Sequence, residues 1–211
     1  MKFRKSAIKA ALCGFAAAMA ITFTFPTTGY ASTDRWYDMA SRTWKTGPKP
    51  NGRRYASNRS PIRKRQVKFD SSYAPGTIIV DTSERRLYYV MKRGKAMKYG
   101  IGVGREGFQW QGKHRITRKA EWPSWSPPPV MIARVKRESG VTLKSYYEGG
   151  PNNPLGARAL YIGSTIYRIH GTNQPWTIGK AMSSGCIRLA NDDVTDLYNR
   201  VKVGSRVIVR H

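Results

Sequence analysis

Apolar residues are distributed along the chain in three regimes. From Ala10 to Phe25 they form a nearly unbroken block, from Ser32 to Lys68 aliphatic residues are almost absent, and from Phe69 onward they return in short runs. The short runs predict strands: Thr77 to Asp81, then Arg86 to Met91, with Arg93-Gly94 closing a hairpin. A third run, Ala96 to Val103, extends the pattern, and Gly100, Gly102 and Gly104 alternate along it. No helix opens after these glycines, so they read as bulges or points of close backbone approach rather than a dinucleotide loop.

Further along, Trp122 to Pro129 holds four prolines and two tryptophans and predicts an extended loop, since proline breaks both ladder and helix. Asn152 to Gly156 predicts a turn, and Ala159 to Ile162 and Thr165 to His170 predict strands. Val194, Leu197, Tyr198 and Val201 fall at i, i+3, i+4 and i+7, which predicts one helical face capped by Asp192 or Asp193 and ended by Gly204. Arg206 to Val209 closes the domain as a strand. The fold class expected is mainly β, a β-sandwich of mixed sheets with one or two short helices.

The first two regimes are not part of that domain. Residues 1–31 carry Lys2, Arg4, Lys5 and Lys9, then the apolar block, then Pro26 and the small-residue exit Gly29-Tyr30-Ala31. That order predicts a signal peptide cleaved after Ala31, on a block too short for a comfortable membrane span. A retained anchor is the competing reading. Residues 32–68 hold eleven Lys and Arg against two Asp, interrupted by Pro48, Pro50 and Pro61. They predict a basic, disordered arm, which is either a solvated tether or a contact to anionic envelope polymers. The folded domain is then 69–211.

Charge enters here because the whole chain has 211 residues and a formal net charge of +26. Half of that excess stays on the domain from Phe69 onward, so the charge is spread and does not mark one nucleic-acid face. Export also argues against a nucleic-acid partner, and places the protein in the periplasm or cell wall. Cys13 leaves with the signal peptide, so Cys186 remains as a thiol without an intramolecular partner, either reactive or buried. His114, His170, His211 and Cys186 match no zinc spacing, so neither a metal nor a cofactor is expected.

Sixteen residues before Cys186 a predicted strand ends in His170-Gly171-Thr172. A thiol attacks carbonyl carbon as thiolate, and an imidazole within reach supplies that form by taking the proton as an ion pair. Ser183, Ser184 and Gly185 allow a tight turn that would aim the N–H groups of Gly185 and Cys186 at an oxyanion. Arg188 would project nearby as a fork for a substrate carboxylate. By residue types alone a buried structural cysteine stands beside the catalytic reading.

The ordered motifs Asn153-Pro154-Leu155-Gly156, Ile169-His170-Gly171-Thr172, Ile178-Gly179, Ser183 to Leu189, Asp196-Leu197-Tyr198 and Val203-Gly204 resemble the catalytic domain of the L,D-transpeptidases, the YkuD family. The resemblance covers Thr77 to Arg210. It implies an enzyme acting on peptidoglycan stem peptides, in which Cys186 is the nucleophile and His170 the base. The carbonyl of Gly171 would orient the imidazole, and Arg188 would lie by the substrate. The thiolate would attack the L-centre carbonyl of a diamino acid, release D-alanine, and be resolved from the thioester by a second stem's amine, giving a 3→3 cross-link. Water as acceptor would give an L,D-carboxypeptidase, and a protein amine an attachment enzyme. A noncatalytic basic envelope-binding protein is the reading from another class. One departure stands out: the family commonly has histidine before the Gly-Cys pair, and Ser184 takes that substrate-facing place here.

Overall fold

The computed structural model describes residues 36–38, 43–45, 59–106 and 108–211. The expected signal peptide, 1–31, and most of the expected arm lie outside the described residues. Within the arm, β1 (Trp36–Asp38) and β2 (Thr43–Lys45) pair as an antiparallel ribbon.

One mixed sheet of nine strands builds the domain. In chain order its members are β3 (Arg65–Lys68), β4 (Ile78–Asp81), β5 (Arg86–Met91) and β6 (Lys95–Gly100), followed beyond β7 (Val103–Gly104) by β8 (Gly112–Glu121). After α1 (Pro129–Ser139) come β9 (Arg158–Ile162) and β10 (Arg168–His170). Next come β11 (Ala181–Ser183), β12 (Ile187–Arg188), α2 (Asn191–Arg200) and β13 (Arg206–Arg210). The spatial order is β12-β10-β9-β8-β13-β4-β5-β6-β3, with β7 and β11 pairing separately. Only β10 with β12 and β13 with β4 are parallel within the nine.

The ten-residue β8 lets one sheet act as two layers. Gly112 to Arg115 pair with β13, while Ile116 to Glu121 pair with β9, with a register shift between Ile116 and Arg118. Irregularities of this kind bend a strand and raise its twist. The sheet therefore curls, and a single core joins Ile78, Leu87 and Tyr99 from one end to Leu160, Ile169 and Ile187 from the other. The expected mixed sandwich is realised in this form, with Val194 and Leu197 of α2 and its C-cap Val201 packing into the same core.

Three details differ from the sequence expectation. The folded unit starts before Phe69: β3 pairs with β6, and Ile62 reaches Gly100, where a β-carbon would lie 2.6 Å from the Ile62 β-carbon. The disordered arm is thus corrected at its C-terminal end, since packing supplied by β6 overrides a segment with no readable period of its own. Pro129 opens α1 instead of ending a loop, which suits proline at the first helical turn. No residue of α1 is buried, so it lacks the apolar stripe that reveals a helix in sequence. In α2 the N-cap is Ala190, with no side-chain cap bond; Asp192 and Asp193 lie in the first turn, where the helix dipole favours them.

Candidate active site

Strands β10 and β12 lie side by side in parallel, with Ile169 opposite Ile187 and His170 opposite Arg188. Leu160, Ile169 and Ile187 occupy one transverse row and are buried in the core. Side chains alternate between faces along a strand, so the neighbours of that row, Arg168, His170, Cys186 and Arg188, share the opposite face. The two halves of the expected site, sixteen residues apart in sequence, are thereby joined at one sheet edge.

His170 is 4% exposed, and its Nδ1 lies 2.6 Å from the Gly171 carbonyl. A carbonyl only accepts, so Nδ1 carries the proton and Nε2 keeps its lone pair. The carbonyl is aimed by α2. Asn191 Oδ1 accepts from the backbone N–H groups of Ala157 (3.0 Å) and Thr172 (3.2 Å), pinning the turn before β9 to the segment after His170. A β-carbon on either Gly156 or Gly171 would collide with that oxygen, which explains both glycines.

Burial, then the positive charge of Arg188 and to a lesser degree that of Arg168, push the imidazole down to about 3, against opposite effects from the Gly171 and Leu155 carbonyls. Burial also pushes the Cys186 thiol up, partly offset by Arg168, through its charge, backbone N–H and side chain, and by Arg188. At neutral pH the pair is thiol and neutral imidazole. That differs from the standing ion pair expected from sequence: burial disfavours either charge, and the two guanidiniums add to it at the imidazole while only partly offsetting it at the thiol. Such an arrangement transfers the proton as the thiol attacks rather than beforehand.

The turn before the thiol is tight, as expected. Gly185 has φ +104°, and a β-carbon there would strike the Tyr167 ring. Trp110 Nε1 donates to the Gly185 carbonyl at 2.7 Å and stacks on Tyr167. Ser183 Oγ donates to the Cys186 carbonyl (2.6 Å) and accepts from the Gly185 N–H (3.2 Å). The expected oxyanion donor Gly185 is therefore engaged by Ser183 in this structure.

Ser184 accepts a 2.7 Å hydrogen bond from Arg134 Nη2 on α1. The Arg134 and Arg105 guanidiniums both contact the Phe108 ring, and Arg105 bonds to both carboxylate oxygens of Glu138 on α1. The helix without a buried face is thus tied to the rim of the site by charged contacts. Arg188, placed by sequence near the substrate, is pushed down to about 10 by burial and remains a cation at neutral pH. Sequence reasoning missed Arg134, Arg168 and Asn191. Only Arg168 carried a signal, two residues before His170 on one predicted strand.

A separate groove opens elsewhere on the domain. It holds about 600 Å³ between the ends of β4, β5 and β13, lined by Lys92, Arg115, Arg200, Lys202 and Arg206, and does not include Cys186. No cysteine or histidine lines it.

Comparison with known proteins places this geometry. A family model described as the L,D-transpeptidase catalytic domain, YkuD, matches residues 75–209. A probable L,D-transpeptidase, ErfK/SrfK, of Escherichia coli K12 is 41% identical over 133 residues, covering 62% of this chain and 42% of that protein. The chain spans less than half the length of the Escherichia coli relatives it matches. Among solved structures, an L,D-transpeptidase from Mycobacterium smegmatis superimposes with a TM-score of 0.50 at 16% identity, over 78% of this chain and 88% of that one, a likeness of fold. A probable carnitine operon oxidoreductase of Brucella melitensis is 45% identical, covering 74% of this chain and 97% of that one, at a TM-score of 0.47.

Proposed function

The chain belongs to the L,D-transpeptidase catalytic-domain family, and from that premise we propose that it is an exported cysteine acyltransferase forming 3→3 cross-links between peptidoglycan stem peptides. The observation that carries the reading is the diagonal from His170 on β10 to Cys186 just before β12, with Nδ1 tied to Gly171 so that Nε2 is left as the base.

Chemistry follows from those two atoms. Cys186 Sγ attacks the L-centre carbonyl of a diamino acid while its proton passes to His170 Nε2. The carbon–nitrogen bond to D-alanine breaks, the imidazolium returns the proton to the departing amine, and a thioester remains. A second stem's side-chain amine then attacks the thioester and gives its proton to Nε2. Carbon–sulfur cleavage regenerates the thiol with that proton, so the cycle closes without cofactor or metal. A neutral resting imidazole suits both halves, because it meets each nucleophile as a base.

In this proposal 1–31 is the export signal, the arm from Ser32 is an electrostatic tether to anionic envelope polymers, and Arg188 and Ser184 face the donor stem. Trapping tests it: mixing the protein with a tetrapeptide stem whose side-chain amine is acetylated, so that it cannot serve as acceptor, should add the mass of the acyl tripeptide to Cys186. An unmodified intact mass in wild type, or the same adduct in Cys186→Ala, would count against the mechanism.

A further inference from the structure

On the face of β10 and β12 opposite the core row four side chains form a square: Arg168 and His170 on β10, Cys186 just before β12 and Arg188 within it. The register pairs His170 with Arg188, and two residues earlier Arg168 reaches Cys186 through its backbone N–H and side chain. Thiol and imidazole therefore hold one diagonal, and two guanidiniums hold the other.

Neither guanidinium forms an ion pair among the described residues. Arg168 Nε, and Arg188 Nε and Nη2, are sealed from solvent with no hydrogen-bond partner. Buried polar groups in native proteins are almost always satisfied, and an uncompensated buried charge is strongly destabilising. Arg168 also faces the Tyr161 ring, with its guanidinium carbon 5.4 Å from the centroid. Stacking occupies the face of a guanidinium and leaves its in-plane N–H groups open to a carboxylate. The Arg168 side chain also hydrogen-bonds the Cys186 thiol, yet each guanidinium keeps unpaired in-plane N–H groups, one set on each side of the nucleophile, open to two anions that arrive together.

We propose that Arg168 is a specificity-determining residue that acts with Arg188 to select a donor carrying a carboxylate on each side of the attacked carbonyl. One belongs to the departing amino acid, the other to the second carboxyl group of the diamino acid. The inference rests on the acyl-transfer reading above. The two diagonals make it specific: a carbonyl placed over Cys186 and His170 has a cation toward its leaving group and another toward its acyl side. Neutralising both guanidiniums on binding also removes the positive charges that add to burial in holding His170 down, so a correct donor strengthens the base that acts on it.

Three synthetic tetrapeptide donors test this with the full-length protein and one fixed acceptor amine: both carboxylates free, the departing residue amidated, or the second diamino-acid carboxylate amidated. Charge-assisted hydrogen bonds of this kind predict that wild type loses about 10- to 100-fold in kcat/KM for each amidation. Arg168→Gln should level one of those ratios to within about twofold and leave the other, Arg188→Gln should do the reverse, and Arg168→Lys should keep part of the discrimination. Ratios from one preparation do not depend on how much of a variant is folded. Wild-type turnover with no preference among donors, or both ratios intact in Arg168→Gln, would overturn the inference alone. No turnover of any donor would overturn the acyl-transfer reading, and the inference with it.

Discussion

Asn191 Oδ1 sits against Gly171 where a β-carbon would have to go, and it holds the backbone on both sides of that close approach through Ala157 and Thr172. A residue on α2 thereby sets the carbonyl that fixes the His170 tautomer. Asn191→Ala leaves two buried N–H groups without an acceptor, at about 1–3 kcal/mol each. Urea unfolding should show that loss, and kcat should fall with KM little changed, because the ring rather than the donor contact is displaced. Gly171→Ala should be worse than Asn191→Ala, while the double variant Gly171→Ala with Asn191→Gly should recover part of the stability.

Stability should depend on pH through two buried groups of opposite sign. His170 is held at about 3 against an ordinary 6.5, so the unfolded chain binds its proton first and stability is lost as pH falls from 6.5 towards 3. Burial raises Asp193 to about 6 from 3.8, more than Lys64 lowers it, so its contribution is present below 3.8 and lost as pH rises through 6. Each slope approaches ~1.4 kcal/mol per pH unit within its window. Between pH 4 and 6 they oppose. His170→Gln should therefore become less stable as pH rises across that interval relative to wild type, and Asp193→Asn more stable. Denaturation at pH 4, 5 and 6 checks both signs; parallel profiles for all three proteins would contradict the assignment.

The raised Cys186 thiol sets its reactivity towards simple alkylating agents. Its iodoacetamide rate should keep climbing through pH 9, because only the small thiolate fraction reacts. A rate already level at neutral pH would restore the standing ion pair. A carbapenem brings its own electrophilic carbonyl to the site and, on the family resemblance, should acylate Cys186 at neutral pH. Intact mass is the readout, with Cys186→Ala giving no adduct.

Tethering of α1 is expected to matter for the site more than for the fold. The Arg105–Glu138 pair is partly exposed, which limits its contribution to at most ~1 kcal/mol. Arg134→Ala should shift the unfolding midpoint little, yet increase hydrogen exchange across Pro129–Ser139 and raise KM for the donor stem, since Ser184 loses its partner.

What the sequence exposed and what it hid follow from the range of each signal. Val194, Leu197 and Val201 announced α2 because a helix packed on a core needs that period, and the β10 and β5 runs announced themselves by burial. The Cys186 and His170 pair was legible as chemistry, since few residue types do this work. Its electrostatics were not. Arg168, Arg188 and the ring come together only through the parallel register of β10 and β12, which no local pattern encodes. Likewise α1 was hidden because nothing on it is buried, and β3 because its partner β6 lies about thirty residues away. Ile62 shows the cost of reading 32–68 as one arm: it packs on Gly100 and Gly179, so removal through Lys68 should destabilise the domain where removal through residue 58 does not.

The most direct measurement is the product profile from purified protein incubated with disaccharide tetrapeptides, resolved by liquid chromatography and mass spectrometry. Dimers joined from the L-centre of one diamino acid to the side-chain amine of another, with one D-alanine released for each and none formed by Cys186→Ala, are the predicted result. Released D-alanine with tripeptide monomers alone would make water the acceptor, and dimers formed by Cys186→Ala would contradict a cysteine acyltransferase altogether.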